Sequence, residues 1–180
     1  MSRTKLKIMT YNNCSGLNGE DERVRDIAAA AAVLRVQDAD IVGLNEVDGC
    51  NPRSGCVSQT AQLAQLAGYP HCYFAQAIAF NGKFGYGNAI LSKYPIMLAE
   101  TMHIPDPPVR DEDAYYETRA VLRAKIDAGE GLTVLVSHFG LAQSEQQNAV
   151  ETVCRLIDET PGALVLMGDF NMEPEDKKLA

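Results

Sequence analysis

The sequence predicts an α/β sandwich, with two packed sheets and helices on the outside. Two observations point there. Single helix-like segments stand near the start, several strand-like runs follow in succession, and one helix and one strand close the chain. A doubly wound parallel sheet would alternate strand and helix throughout instead. In addition, the strand-like runs end in polar groups, as they do where a rigid scaffold meets a cleft.

Residues 5–12, KLKIMTYN, place Leu6, Ile8 and Thr10 on one side at period two and read as a strand ending at Asn12. Residues 20–37 read as a helix, with acids at the start and Ile27, Val33, Leu34 and Val36 set among alanines. Residues 40–46, DIVGLNE, form a short apolar run that stops at Glu46. A loop over 47–57 is followed by a helix over 58–67, with Gly68 as its stop. Residues 71–80 are strand-like, and Asn81-Gly82 is a turn signal. Strands over 87–92 and 96–103 flank Tyr94-Pro95. Residues 104–116, rich in Pro and Asp, form a long loop.

Two alternating strands, 119–126 and 132–138, are joined by a turn over 127–131. Ser144-Glu145-Gln146-Gln147 fits a capping box. The helix it opens carries Ala149, Val150, Val153, Leu156 and Ile157 on one face. The last apolar run, ALVLM, enters Gly168-Asp169-Phe170-Asn171. On an extended backbone Asp169 and Asn171 point to one side and Phe170 points back to the core.

The 180 residues, 46% hydrophobic, suit one domain over 1–180. Formal net charge is −8 and no basic stripe is visible, so a phosphate-bearing partner would need a cation or a small positive site as intermediary. No apolar signal region or membrane-length stretch occurs, and a cytoplasmic location is the expectation. Five cysteines, an odd number, read as free thiols, although Cys50 and Cys56 in CNPRSGC are close enough to pair in an oxidising medium.

Four predicted strand ends carry polar groups: Asn12, Glu46, His138, and Asp169 with Asn171. Each alone has an ordinary reading. Asp or Asn after a strand is usually a turn former, Glu46 could pair with an arginine, and a lone His is more often a satisfied polar residue than a catalyst. Four such ends in one chain favour a site. The surrounding stretches, KIMTYNNCSG, ADIVGLNEVD, YGNAILSKYPI, ETRAVLRAKI, LTVLVSHFGL and VLMGDFNMEP, resemble the endonuclease/exonuclease/phosphatase superfamily, in the family's order and over nearly the whole chain.

The resemblance implies a four-layer α/β sandwich of the deoxyribonuclease-I-like kind and phosphate-ester hydrolysis with Mg²⁺, or Mn²⁺ as an alternative. It gives Glu46 and Asn12 as metal-holding residues, Asp169 as the residue that orients the attacking water, and Asn171 as a phosphate contact. His138, in its charged form, would stabilise phosphoryl oxygens, and Arg119 would support the active-site network. The family also ends in an Asp-His pair that this sequence lacks, so the expectation is a fold incomplete at its C-terminus. The favoured substrate is a small-molecule or lipid-derived phosphate ester. A nuclease acting on DNA or RNA is the runner-up, and a non-catalytic binding module is the alternative of a different class.

Overall fold

The computed structural model describes residues 5–18, 21–129, 131–173 and 175–176. Its elements in chain order are β1 (Ile8–Asn12), β2 (Leu17–Asn18), β3 (Asp21–Arg25), α1 (Ile27–Gln37), β4 (Ile41–Asp48), α2 (Gln59–Ala67), β5 (His71–Phe80), β6 (Phe84–Ser92), β7 (Ile96–His103), β8 (Ala120–Ile126), β9 (Leu132–His138), α3 (Gln143–Asp158) and β10 (Leu164–Asp169). Two four-stranded sheets form, in the orders β1-β4-β6-β5 and β10-β9-β8-β7. β1 runs parallel to β4 and β10 parallel to β9, while the other pairings are antiparallel, so both sheets are mixed.

Three apolar clusters set the layers. Between the sheets lie Ile41, Ile90, Leu122, Ala124, Ile126, Val134, Val136 and Met167. On the outer face of the first sheet, Val42, Leu44, Val47 and Leu91 meet Ala30, Ala31 and Leu34 of α1 and Leu63 and Ala64 of α2. On the outer face of the second, Val121 and Leu135 meet Ala149, Val153 and Leu156 of α3. The order is therefore helices, sheet, sheet, helix: the expected four layers. Each fully buried Leu or Ile contributes roughly 1.5–3 kcal/mol to holding them together.

Several boundaries differ from the sequence reading. The first helix starts at Ile27, where Asp26 caps it by accepting from Ala29 N–H at 3.0 Å. Residues 21–25 instead pair with β2 as a short ribbon, and residues 19–20 of the expected helix lie outside the described residues. β6 begins at Phe84, three residues earlier than expected, because the β5–β6 hairpin closes tightly through Asn81 and Gly82, both at positive φ. The expected Ser144 cap is replaced. α3 starts at Gln143, and Glu145 reaches back to Ala142 N–H at 3.4 Å. Glu112, from the long loop, accepts from Gln143 N–H at 2.6 Å and Ser144 N–H at 2.9 Å. Ile157 is exposed rather than on the core face. All five cysteines are free thiols, and Cys50 Sγ donates to the Cys56 carbonyl at 3.3 Å.

Candidate active site at the mouth between the sheets

Alternation along four strands builds the site. In β1, Ile8 faces the inter-sheet core and Asn12 continues that face. In β9, Val134 and Val136 lead to His138, and in β10, Val165 and Met167 lead to Asp169. In β4, Ile41 and Gly43 lead to Asn45. Apolar contacts fill the space between the sheets until these last positions, where polar groups replace them.

Glu46 reaches the same mouth through a bulge. Leu44 pairs with Ala89 and Val47 with Gly87, so Asn45 and Glu46 together oppose Asn88. Glu46 takes a left-handed φ of 55°. Strict alternation would put Glu46 on Leu44's face, beneath the helices. The extra residue instead lets Val47 resume that face and releases the Glu46 carboxylate.

The amide of Asn12 gathers the acids. Its Nδ2 donates to Glu46 Oε1 at 2.8 Å and to Asp169 Oδ2 at 3.1 Å, and its Oδ1 accepts from Cys14 N–H at 2.9 Å. The partners fix which amide atom is which, since a carboxylate only accepts and a backbone N–H only donates. Carboxylates from two sheets thus converge on one nitrogen, beside an open cleft of about 690 Å³ lined by Asn12, Asn45, Asp169 and Asn171.

Asn171 arrives by a different route from the one its spacing suggests. The chain leaves β10 at Asp169, whose Oδ1 accepts from Asn171 N–H at 3.1 Å, and Asn171 turns left-handed at φ 48°. Its side-chain amide donates to the Phe139 carbonyl at 2.9 Å. A turn, not alternation on an extended strand, places it in the cleft. Phe170 does point inward, against Phe139, with ring centroids 4.9 Å apart.

Two buried amides that sequence reasoning passed over tie the sheets together here. Asn45, fully buried, donates to Asn88 Oδ1 at 2.8 Å and to the Ser137 carbonyl at 3.0 Å, and its Oδ1 accepts from Asp169 N–H at 3.0 Å. Asn88 donates onward to the Ala120 carbonyl at 2.8 Å. Asn45 thus sets the height of Asp169 relative to β4. Its place beside Glu46 in IVGLNEVD was the available signal.

His138 and Arg119 are both buried, with Arg119 Nη1 2.9 Å from His138 Nδ1. Burial, and then the Arg119 charge, push the His138 pKa down to about 4, against the opposing pull of Glu46 and Asp169. The imidazole is therefore neutral at pH 7, which corrects the expectation of a charged ring. Glu117, also missed, pairs with Arg119 at 2.9 Å, and burial pushes its carboxyl up. Burial, and then the neighbouring Glu46 carboxylate, push the Tyr86 phenol up, so Tyr86 stays protonated.

Among the described residues no group of three or more His, Cys, Asp or Glu side chains is placed to hold a metal. The two convergent carboxylates still fit a hard divalent cation of the Mg²⁺ kind, which takes one or two carboxylates and keeps waters and substrate oxygens as its other ligands. Asn12 fits as the donor that aligns both carboxylates, because its oxygen is turned to Cys14 N–H.

A mixed two-sheet sandwich thus brings acids, amides and an imidazole to one strand-end mouth. The chain belongs to the endonuclease/exonuclease/phosphatase family, whose model matches residues 9–178. Among solved structures it is similar to an endonuclease/exonuclease/phosphatase from Beutenbergia cavernae, at 23% identity and TM-score 0.77, covering 96% of this chain and 50% of that one. It is also similar to TDP2 from C. elegans, at 20% identity and TM-score 0.64, covering 97% and 50%. Sphingomyelinase C from Streptomyces griseocarneus matches at 18% identity and TM-score 0.70, covering 98% and 68%. The chain thus spans about half the length of the first of these relatives. A comparison with curated proteins returned no match. No helix among the described residues is long and apolar enough to cross a membrane.

Proposed function

We propose that the chain is a divalent-cation-dependent phosphoric ester hydrolase acting on a small or lipid-derived phosphate ester. The observation that carries this reading is the meeting of Glu46 and Asp169, from different sheets, on the Asn12 amide at an open cleft. Glu46 would hold Mg²⁺, or Mn²⁺, which when bound supplies charge neutralisation at the phosphoryl oxygens. Asn12 keeps Glu46 and Asp169 in register. Asp169, its backbone fixed by Asn45, orients the attacking water and draws on its proton. Asn171 lines the phosphate side of the cleft. His138, neutral and held by Arg119, offers a hydrogen bond to phosphoryl oxygens as charge develops there.

The net charge of −8 favours a small ester over a long polyanion, because the chain has no basic stripe to meet a phosphate backbone. The test is a panel of phosphomonoesters, phosphodiesters and duplex DNA with Mg²⁺ or Mn²⁺, with Glu46→Ala as control. Metal-dependent turnover of a small ester, lost in Glu46→Ala, is expected. DNA cleavage that falls steeply with salt would replace this substrate class with nucleic acid. A folded chain that binds Mg²⁺ and turns over nothing would overturn the enzymatic reading.

A further inference from the structure

We propose that Glu117 is a positioning residue: it holds the Arg119 guanidinium against His138 Nδ1 and so fixes His138 as the neutral tautomer with its proton on Nε2. This inference rests on the reading of His138 as a donor in the hydrolytic site. The geometry turns on a single nitrogen. Arg119 Nη1 lies 2.9 Å from Glu117 Oε1 and 2.9 Å from His138 Nδ1. That nitrogen forms an ion pair with Glu117 and a hydrogen bond with His138, and a guanidinium has no lone pair to offer and does not lose its charge. His138 Nδ1 must therefore accept. A neutral ring that accepts at Nδ1 carries its proton at Nε2, the edge turned away from Arg119.

Glu117 is what makes the arrangement affordable in a buried place. Arg119 is only 9% exposed, and a buried cation without a counter-charge is strongly unfavourable. The neutral imidazole cannot balance it, and the Glu117 carboxylate does. Glu117 is itself anchored, since its backbone N–H donates to Glu145 Oε1 at 2.9 Å in the first turn of α3. A chain of contacts thus runs from the start of α3 through Glu117 and Arg119 to His138, with Tyr86 closing the same small enclosed space. The anchor uses the Glu117 main chain, so changing its side chain leaves that link in place.

The test is long-range proton–nitrogen correlation NMR on protein with ¹⁵N-labelled histidine at pH 7. The chain has three histidines, and His138→Gln assigns the relevant signal. The wild type is expected to show His138 as a neutral ring protonated at Nε2. Glu117→Ala and Glu117→Gln, which both remove the counter-charge, are expected to convert this to a mixture of tautomers, whereas Glu117→Asp, which keeps it, retains the single form. Where hydrolysis is measurable, Glu117→Ala should lower kcat at least tenfold with KM little changed. A wild-type ring protonated at Nδ1, or charged at pH 7, would overturn the inference. So would a folded Glu117→Ala protein with an unaltered His138 pattern. If Glu117→Ala does not fold, the wild type and Glu117→Gln decide. The spectra do not depend on turnover, so a failure of the hydrolase reading leaves this result standing, and the reverse.

Discussion

His138 shows how far burial can move a single group. Histidine ordinarily titrates near pH 6.5, yet burial and Arg119 bring this one to about 4. The folded state therefore keeps the ring neutral, and the unfolded chain binds its proton first. The stability this provides is present above pH 6.5 and is lost as pH falls from 6.5 toward 4. Glu117 acts in the opposite sense, because its raised pKa makes the fold favour its protonated form as pH drops. Comparing wild type with His138→Gln isolates the histidine. Denaturant unfolding at pH 7 and 4.5 should show wild type losing on the order of 2 kcal/mol more than the variant on acidification. Equal losses would contradict the buried neutral ring. At Asp169 the expectation is kinetic. Asp169→Asn is nearly isosteric and should keep the fold while lowering turnover by about 100-fold or more, read from steady-state rates and a thermal melt. Glu117 and Arg119 stand two apart in ETR, on one side of an extended backbone. That pairing was legible in principle, whereas the contact with His138 was not, because it joins positions 19 residues apart.

Elements were read best where a local signal sat at their ends. Ser58 and Gly68 bracket α2 as cap and stop, with Ala61 N–H donating to Ser58 Oγ at 3.3 Å. The start of α1 was misplaced because acids upstream resemble a helical first turn, while Asp26 is the residue that caps it. The cap of α3 is only partly local: Glu145 reaches back to Ala142 N–H, while Glu112 reaches Gln143 and Ser144 N–H from more than 30 positions away. Glu112→Ala should destabilise the protein by about 1 kcal/mol, measured by denaturant unfolding. The bulge in β4 was equally invisible, although it is what brings Glu46 out. Asn45→Leu would leave Asn88 Oδ1, the Ser137 carbonyl and Asp169 N–H without this partner inside the protein. A loss on the order of 3 kcal/mol is expected. β10 approaches β9 so closely at Gly168, φ 146°, that a Cβ there would lie 1.8 Å from the Ser137 carbonyl oxygen. Gly168→Ala should therefore displace Asp169 and unsettle the strand.

At the scale of the molecule, succession of elements and period-two patterning were enough to anticipate two sheets between helices, and the four layers follow from the three apolar clusters. The polar strand ends were legible as candidates because each terminates an apolar run. Their meeting was not, because it depends on how two sheets stack, which no single run encodes. The same stacking gives the reading its most direct test. Isothermal titration of Mg²⁺ into wild type and Glu46→Ala, each checked for an intact fold, asks whether the convergent carboxylates hold a cation. The wild type should bind, and removal of Glu46 should weaken binding by at least tenfold. Equal affinity in the two proteins would contradict a cation site built where the sheets meet.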